Sequence, residues 1–378
     1  MRTKILVIAS QDYKNANHKG LWEKLAEKTQ EDVIVVNIPA DRLVSTLMHH
    51  KDRIEDSKQK PHKINNHLTV VRPLLTVRPE VLPDQLFPVV AKEFWRYLDK
   101  AFPDLKECRL RIIVYNAYWV KILKKTRNNI FFAYYLFDEV RYNGKDNSIN
   151  KKRYVHDEYA CKNSDIVFAM SEVLAKSRSE YNDNIVVIGN GALKPKIIFD
   201  SVRKFTHSFA FVGNFRNWID EDLLRSLISK RKDILFVFAG TIENDMREFL
   251  RGLLDSNMNT VWFGRVQKNN MGSLYRMFDG LIIPYKNNDF IRATRPIKIV
   301  ESVLAGTPVV TIPMNGYKEN SFIRFADSVE AFSRQINYLL DNPIDQDSDE
   351  YKEFVKTNTW DYKAEIIIKE FDRIGEKI

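Results

Sequence analysis

Cysteine is nearly absent from this chain, which has two, Cys108 and Cys161, among 378 residues. The pair is far apart and lacks metal-ligand spacing, so it offers neither a disulfide framework nor a zinc site and fits a reducing cytosol. No apolar run is long enough to span a bilayer. The first residues, MRTKILVIASQDYK, have too short an apolar stretch for a signal peptide and no small-residue cleavage site. We therefore expect a cytoplasmic protein, with peripheral association at the inner face of the membrane as a further option.

What the chain does contain is an ordinary globular composition, 44% hydrophobic and 29% charged. Its length exceeds that of a typical single core, which favours two domains. The charge is uneven: residues 1–195 contain 33 Lys and Arg against 24 Asp and Glu, while the rest contains 26 of each. The net charge of +9 in the first half favours an anionic partner, namely a lipid surface, a phosphorylated acceptor or nucleic acid. A basic solvated surface without a partner is the alternative.

Short apolar runs alternate with helical patterns along most of the chain. This alternation predicts doubly wound parallel sheets, whose ligands bind at the carboxyl ends of the strands. In the second half, three predicted strands end at Gly213, Gly240 and Gly264, where the backbone must turn tightly or approach a ligand. We predict a first domain over residues 1–195, a second over 206–345 and closing helices over 346–378. The polar stretch from Lys194 to His207 is predicted to be the linker.

The segment from Arg292 to Pro313, RATRPIKIVESVLAGTPVVTIP, predicts a buried helix followed by a strand. Thr294 or Arg295 is expected to cap this helix, with Pro296 in its first turn and Gly306 after its end. Lys298 and Glu301 share one face near its start. Free N–H groups, the positive end of the dipole and an ammonium together favour a diphosphate. The alternative is a solvated ion pair between the two side chains.

Two further stretches carry candidate functional side chains. Asp138 and Glu139 follow the predicted strand Ile130–Leu136, where a carboxylate would face the ligand edge and act as a general base. A helix cap or a solvated turn is the alternative. Asn17 and His18 lie in the loop after the first strand, and a polar helix start is the alternative for them. The polar, His-rich stretch 45–67 is predicted to be a solvated loop, with contact to an acceptor or a membrane as the other option.

Several of these segments resemble GT-B glycosyltransferases. FVGNFRNWIDEDLLRSLISKRKDILFVFAG is similar to the start of the donor domain in bacterial cell-surface polysaccharide transferases of the teichuronic-acid type. NTVWFGRVQKNNMGSLYRMFDGLIIPY and RATRPIKIVESVLAGTPVVTIP continue the resemblance in the same order, and YYLFDEVRY with YACKNSDIVFAMSEVLAKS extends it less closely into the first half. The final TWDYKAEIIIKEF is similar to the closing helix that crosses back to the first domain in this fold. The resemblance covers most of residues 130–375.

The resemblance implies a nucleotide-sugar donor site in the second domain. Glu301 would accept hydrogen bonds from the ribose hydroxyls. Lys298, with the N–H groups near Thr294 and Arg295, would hold the diphosphate and stabilise charge on the leaving nucleotide, assisted by Arg292 and Arg295. Arginine at 295 departs from the small residue usual there. The resemblance also implies that the backbone at Gly213 and Asn214 approaches the diphosphate or the sugar. Gly264, Arg265 and Val266 would border the base. Asn17, His18 and Glu139 would lie on the acceptor side.

The implied reaction moves a sugar from a UDP- or dTDP-type donor to a saccharide or lipid-linked acceptor in cell-surface polysaccharide synthesis. Retaining enzymes of this fold often have a second glutamate eight residues before the ribose glutamate, and that position is Ala293 here. An inverting reaction with Asp138 as base is therefore plausible, with Glu139 and His18 as reserves. We assign no DxD-like metal motif in this chain, so we expect neither a metal nor a cofactor.

Three other functions are alternatives for this sequence. A sugar-nucleotide epimerase or hydrolase of the same fold would need a second acid/base pair, and none is evident in the donor half. A nucleic-acid-binding or DNA-modifying protein would use the basic half, yet the sequence shows no aromatic–basic interleaving and no recognisable DNA-binding module. A catalytically inert nucleotide-binding scaffold remains as a third alternative.

Overall fold

The computed structural model of the protein describes residues 2–41, 57, 60–141, 149–193 and 207–375. The chain divides into two compact units, Met1–Gly189 with Lys363–Ile378 and Asn190–Tyr362. The predicted linker, up to residue 206, and most of the predicted polar loop 45–67 lie outside the described residues. No helix in the described part of the chain is long and apolar enough to cross a membrane.

The first unit is built on an eight-stranded sheet with the order β10-β9-β8-β7-β1-β2-β5-β4. Neighbouring strands are parallel except β4, which runs antiparallel to β5. The strands are β1 Thr3–Ile8, β2 Asp32–Val36, β4 His62–Lys63, β5 Leu68–Val71, β7 Arg109–Val114, β8 Ile130–Leu136, β9 Ile166–Ala169 and β10 Ile185–Val187. A separate pair, β3 Ala40–Asp41 and β6 Leu74–Leu75, is also parallel.

Helices pack around this sheet through apolar faces. They are α1 Lys19–Thr29, α2 Phe87–Ala101, α3 Tyr118–Leu123, α4 Lys151–Asn163 and α5 Glu172–Lys176. In α2, buried Val90, Phe94 and Leu98 repeat at helical spacing and form the inner face. Asn150 caps α4 by accepting a hydrogen bond from the backbone N–H of Arg153 at 3.1 Å.

The second unit has a six-stranded, fully parallel sheet with the order β13-β12-β11-β14-β15-β16. Its strands are β11 Ser208–Phe215, β12 Leu235–Ile242, β13 Thr260–Gly264, β14 Gly280–Ile283, β15 Val309–Thr311 and β16 Ile323–Phe325. Its helices are α6 Glu221–Lys230, α7 Arg247–Ser256, α8 Met271–Tyr275, α9 Asp289–Ala293, α10 Ile297–Leu304, α11 Val329–Asp341 and α12 Asp349–Thr357. The last helix, α13 Trp360–Gly375, begins in this unit and belongs to the first unit from Lys363 onwards.

Each sheet has one point where the strand order reverses. In the first unit this point lies between β1 and β7, and in the second between β11 and β14. Loops leaving the two strands on either side of such a point run in opposite directions, which opens a crevice at the carboxyl ends. The residues that follow these four strands are therefore the ones the fold places for ligand binding.

The predicted doubly wound parallel sheets are confirmed. Asp220 caps α6 by accepting a hydrogen bond from the N–H of Leu223 at 3.0 Å. The prediction that Thr294 or Arg295 caps the helix at 297 was wrong: the cap position is Pro296, which offers no side-chain acceptor. The hydroxyl of Thr294 instead donates to the carbonyl oxygen of Ile291 at 2.7 Å and closes the preceding helix, α9.

Candidate active site

The donor-side candidates meet at the strand reversal of the second unit. Gly213 lies near the end of β11 with φ +147°, a conformation that L side chains rarely adopt. A Cβ atom there would come within 2.3 Å of the Nζ of Lys298. Gly240, its register partner on β12, is also constrained, because a Cβ at 240 would stand 1.8 Å from the carbonyl oxygen of Gly213. The two glycines therefore open the space into which the lysine reaches.

Lys298 is the second residue of α10, and its ammonium is held by aromatic side chains. Its Nζ donates to the hydroxyl of Tyr285 at 2.9 Å and lies 4.5 Å from the centre of the Phe211 ring. Tyr285 follows β14, the other strand at the reversal point. Among the described residues Lys298 forms no ion pair with Glu301, so the solvated i,i+3 pair is not the arrangement in the structure. The ammonium thus stands near the helix start with its charge available to a ligand.

Glu301 lies one turn further along α10, in a largely desolvated position. Its Oε2 accepts a hydrogen bond from the hydroxyl of Tyr275 at 3.1 Å. Burial raises the pKa of this carboxyl group, while Lys268, the Tyr275 hydrogen bond and Lys298 act in the opposite direction. The phenol of Tyr275 is buried and remains protonated, so the remaining acceptor capacity of Glu301 suits hydroxyl donors from a ligand.

The arginines near this helix are engaged elsewhere. The guanidinium of Arg295 lies over the Tyr317 ring, 4.9 Å from its centre, and its Nη2 donates to Asn358 at 3.1 Å. Arg292 pairs with Asp289 across one turn of α9 and stays partly exposed. Among the residues that the structure describes, no side chain caps the start of α10, which leaves its first N–H groups open to an anion.

The other predicted donor residues occupy neighbouring strand ends. Asn214 follows Gly213 in β11, and its buried Oδ1 atom has no hydrogen-bond partner in the described part of the chain. Gly264 ends β13 with φ +80°, Arg265 is exposed, and Val266 packs against the core of this unit. Asn214 lies on β11 and Gly264 on β13, with Arg265 and Val266 directly after it; these two strands flank β12.

The sequence did not reveal three residues that act on Lys298 or Glu301 in the structure: Tyr285, Tyr275 and Lys268. Tyr285 follows the apolar run Gly280–Pro284, and its position after a strand end was the one available signal. Tyr275 and Lys268 lie in and before α8, and their role depends on α8 facing Glu301 across the fold. Spacing along the chain does not reveal such a contact.

On the first unit, His18 stands at the other strand reversal. It lies 5.2 Å, ring centre to ring centre, from both Tyr115, which follows β7, and Tyr135 in β8. Phe137, next to Asp138, is 6.0 Å from the same imidazole. His18 is therefore a buried residue in an aromatic setting, directly before helix α1. Asn17 is exposed, and its backbone N–H donates to the Oε1 of Gln11 at 3.0 Å.

Asp138 and Glu139 occupy very different surroundings although they are adjacent. The Oδ1 of Asp138 accepts the backbone N–H of Glu139 at 2.9 Å, and burial raises the pKa of Asp138 to about 6. Glu139 forms a bidentate ion pair with Arg178, whose Nη1 and Nη2 donate to its two oxygens at 2.6 and 2.7 Å. Arg178 is fully buried and also donates to Asp157 at 3.0 Å. Arg178 therefore binds Glu139, whereas Asp138 is the carboxyl group of the pair with the raised pKa.

In the described part of the chain, no group of three or more His, Cys, Asp or Glu side chains is arranged to hold a metal ion. The charge that the donor side does supply comes from Lys298, Lys268 and the first N–H groups of α10.

Comparison with known proteins finds one family match and several similar structures. Residues 206–342 match the family described as glycosyl transferases group 1. No curated protein sequence matches the chain at a significant level. Among solved structures, sucrose-phosphate synthase from Thermosynechococcus elongatus superposes with a TM-score of 0.72 at 14% identity, covering 100% of both chains.

Two further solved structures have the same architecture. Anabaena HepE, in complex with UDP and glucose, gives a TM-score of 0.61 at 14% identity over 99% of this chain and 98% of the other. S. aureus TarM, as a mutant in complex with fondaparinux, alpha-GlcNAc-glycerol and UDP, gives 0.59 at 11% identity over 99% of both chains. At these identities the likeness shows the fold, and the predicted GT-B fold is confirmed.

Proposed function

We propose that this GT-B protein, a nucleotide-sugar-dependent glycosyltransferase whose residues 206–342 match the group 1 family, transfers a sugar to a saccharide or lipid-linked acceptor of the cell surface. The observation that carries the proposal is the arrangement at the second strand reversal: the Lys298 ammonium beside side-chain-free Gly213, with Glu301 one turn further along the same helix. A cation at an open helix start is suited to bind a diphosphate. A carboxylate one helical turn further along is suited to accept hydrogen bonds from the hydroxyls of a ribose.

In the proposed reaction, the acceptor hydroxyl attacks the anomeric carbon while the bond from that carbon to the diphosphate oxygen breaks. Lys298 and the first N–H groups of α10 stabilise the negative charge that grows on the leaving nucleotide, which is work that a metal does in other enzymes. We expect no metal or cofactor requirement on this basis. The proton of the acceptor hydroxyl passes to a general base.

We assign the base to Asp138 and the stereochemistry to inversion. Asp138 is supported by its place just after β8 and by its raised pKa of about 6, which gives a base able to take up a proton near neutral pH. Ala293, at the position eight residues before Glu301, offers no carboxylate for the retaining arrangement. Glu139 is a positioning residue in this scheme because Arg178 occupies both of its oxygens.

The donor is proposed to be a UDP- or dTDP-sugar, and HepE and TarM are both described with UDP. The basic surface of residues 1–195 supports an anionic membrane or a lipid-linked acceptor as the second partner, at the inner face of the membrane. Cell-surface polysaccharide synthesis of the teichuronic-acid type rests on the sequence segments that resemble that group.

A titration of the purified chain with UDP, dTDP, GDP and ADP tests the donor assignment. Binding of UDP or dTDP at least tenfold tighter than the purine nucleotides is the expected result. An NMR assay with the matching nucleotide sugar, with and without acceptor saccharides, then tests transfer. Turnover that proceeds at full rate without any acceptor would identify a hydrolase or epimerase and contradict the proposal.

A further inference from the structure

An apolar patch lies on the surface of the first unit, outside the candidate active site. It consists of Val81, Leu86, Val89 and Val155, whose side chains are exposed by 60%, 43%, 55% and 55%. Single exposed apolar residues are common, but contiguous groups mark interaction sites. Val81 and Leu86 lie in two short turns before α2, Val89 in the first turn of α2, and Val155 on α4.

Hydrogen bonds and ring packing bring these segments together. The Nζ of Lys152 on α4 donates to the carbonyl oxygens of Glu80 at 2.8 Å and Leu82 at 3.0 Å. His156, next to Val155, packs its ring 5.8 Å from the ring of Phe87. The turns, the start of α2 and the start of α4 therefore form one continuous surface.

Basic side chains border the patch on both helices. On α2, Lys92, Arg96 and Lys100 follow Val89 at spacings of three, four and four residues, so all four lie on one exposed stripe. On α4, the exposed first turn is Lys151-Lys152-Arg153. The carboxylates beside the patch already have partners: Glu80 accepts from the hydroxyl of Tyr118, Asp84 pairs with Lys121 at 2.6 Å, and Glu158 pairs with Lys162. The surface thus combines apolar side chains with a surplus of positive charge.

We propose that this surface docks the protein on an anionic lipid bilayer. Valine and leucine side chains enter the boundary between headgroups and acyl chains, while lysine and arginine contact the anionic headgroups. Apolar insertion and electrostatic attraction are each weak, and together they give stable peripheral binding. A nucleic acid backbone satisfies the charges alone and gives the four apolar side chains no apolar environment, so the lipid surface fits both parts of the patch.

The opposite side of α4 connects this surface to the proposed base. Asp157 on α4 is fully buried and accepts from Arg178, which holds Glu139 next to Asp138. A bilayer that touches the outer side of α4 is therefore one helix away from Asp138. This deepens the proposed function, since it rests on a lipid-linked acceptor, but the docking itself requires neither donor nor transfer.

Vesicle flotation of the full chain tests the docking surface. Binding is expected with vesicles of phosphatidylcholine plus phosphatidylglycerol and is expected to be at least tenfold weaker with phosphatidylcholine alone. The triple variant Lys92→Gln, Arg96→Gln, Lys151→Gln is expected to bind the anionic vesicles about a hundredfold more weakly, at roughly fivefold for each charge. The triple variant Leu86→Gln, Val89→Gln, Val155→Gln is expected to lose about tenfold or more, also at high salt, where charge is screened.

A matched charge control is Arg251→Gln, Lys352→Gln, Lys356→Gln, three exposed positions on the second unit, which is expected to bind vesicles like the unaltered chain. All substituted positions in the two test variants are exposed, and circular dichroism checks that they fold. The proposal would be overturned if the unaltered chain did not float, or if both test variants floated as well as the unaltered chain. So would retention on a DNA duplex without vesicle binding. UDP titration of the same preparations tests the donor site independently. A chain that binds UDP but not vesicles would contradict the docking surface and leave the donor site intact.

Discussion

The ammonium of Lys298 occupies space that a side chain at residue 213 would need. A Cβ atom on Gly213 would stand 2.3 Å from Nζ and 3.1 Å from Cε of that lysine. The glycine at the end of β11 and the lysine at the start of α10 therefore depend on each other across the strand reversal, where ligands bind in open sheets of this type.

Gly213→Ala is expected to weaken UDP binding by tenfold or more, about 1.4 kcal/mol, because the new methyl group displaces the Lys298 ammonium. It is also expected to lower the free energy of unfolding by about 1 kcal/mol or more, since φ at 213 is +147°. Calorimetric titration and urea unfolding measure the two effects. Gly252→Ala is the control: nothing lies within 4 Å of a Cβ there, so UDP affinity stays the same and helix α7 gains stability. Unchanged UDP binding in Gly213→Ala would show that the close contact between residue 213 and Lys298 does not determine UDP affinity.

Glu301→Gln is expected to weaken UDP binding by about 10- to 100-fold, the value of hydrogen bonds to a charged group. Inorganic pyrophosphate lacks a ribose, so its affinity is expected to change less than threefold. Competition titrations with both ligands separate the two. Glu248→Gln, at an exposed position on α7, is the matched control. An equal loss for UDP and pyrophosphate would assign Glu301 to the diphosphate or to the shape of the site, not to the ribose.

Asp138→Asn tests the base through stability as well as catalysis. In the folded chain the pKa of Asp138 is raised from 3.8 to about 6, so the native state holds the proton more tightly than the unfolded state. Relative to Asp138→Asn, the unaltered chain should therefore lose unfolding free energy as pH rises from 4 to 6 and stay level above that range. Urea unfolding of both proteins across this range measures the difference. Transfer activity of the unaltered chain should fall as pH drops below about 6, as the base becomes protonated. Parallel stability curves for the two proteins would show that Asp138 has an ordinary pKa and would remove the main support for its role.

Arg178→Met is expected to cost about 3–5 kcal/mol of unfolding free energy, because Glu139 and Asp157 would keep buried charges without their partner. Urea denaturation provides the measurement. Arg231→Met is a matched control, since Arg231 is buried too but its partner Asp233 has a side chain that is 57% exposed and stays hydrated without it. Equal losses in the two variants would show that the burial of the Glu139–Arg178–Asp157 group is not what stabilises the turn.

Several elements were predictable because their signals are local. The strand β8 is an uninterrupted apolar run, β11 contains one from Phe209 to Val212, and the cap of α6 by Asp220 is a one-turn pattern. Lys298 and Glu301 share a helix face by spacing alone. The strand β5 and the helix α11 were not predicted. Closing helices were predicted over 346–378 without individual bounds, and the Ser348 cap that begins α12 was not identified.

What the sequence did not reveal are contacts between segments far apart in the chain. Arg295 was expected near the diphosphate, yet its guanidinium is drawn to Tyr317 and Asn358, which lie 22 and 63 residues away. Glu139 and Asp138 look equivalent in sequence. The buried Arg178 distinguishes them by binding Glu139 alone. Such partners follow from how helices pack on the sheet, and no one-dimensional pattern encodes them.

Lys298 is proposed to hold the diphosphate of a nucleotide sugar, and calorimetric titration of Lys298→Ala with UDP tests this role. We expect a loss of about 1.5–3 kcal/mol, or roughly 10- to 150-fold, as a charge-assisted hydrogen bond disappears. Lys230→Ala, at an exposed position on α6, serves as the control with the same change of net charge and is expected to bind UDP normally. UDP affinity in Lys298→Ala equal to that of the control would show that Lys298 does not hold the diphosphate.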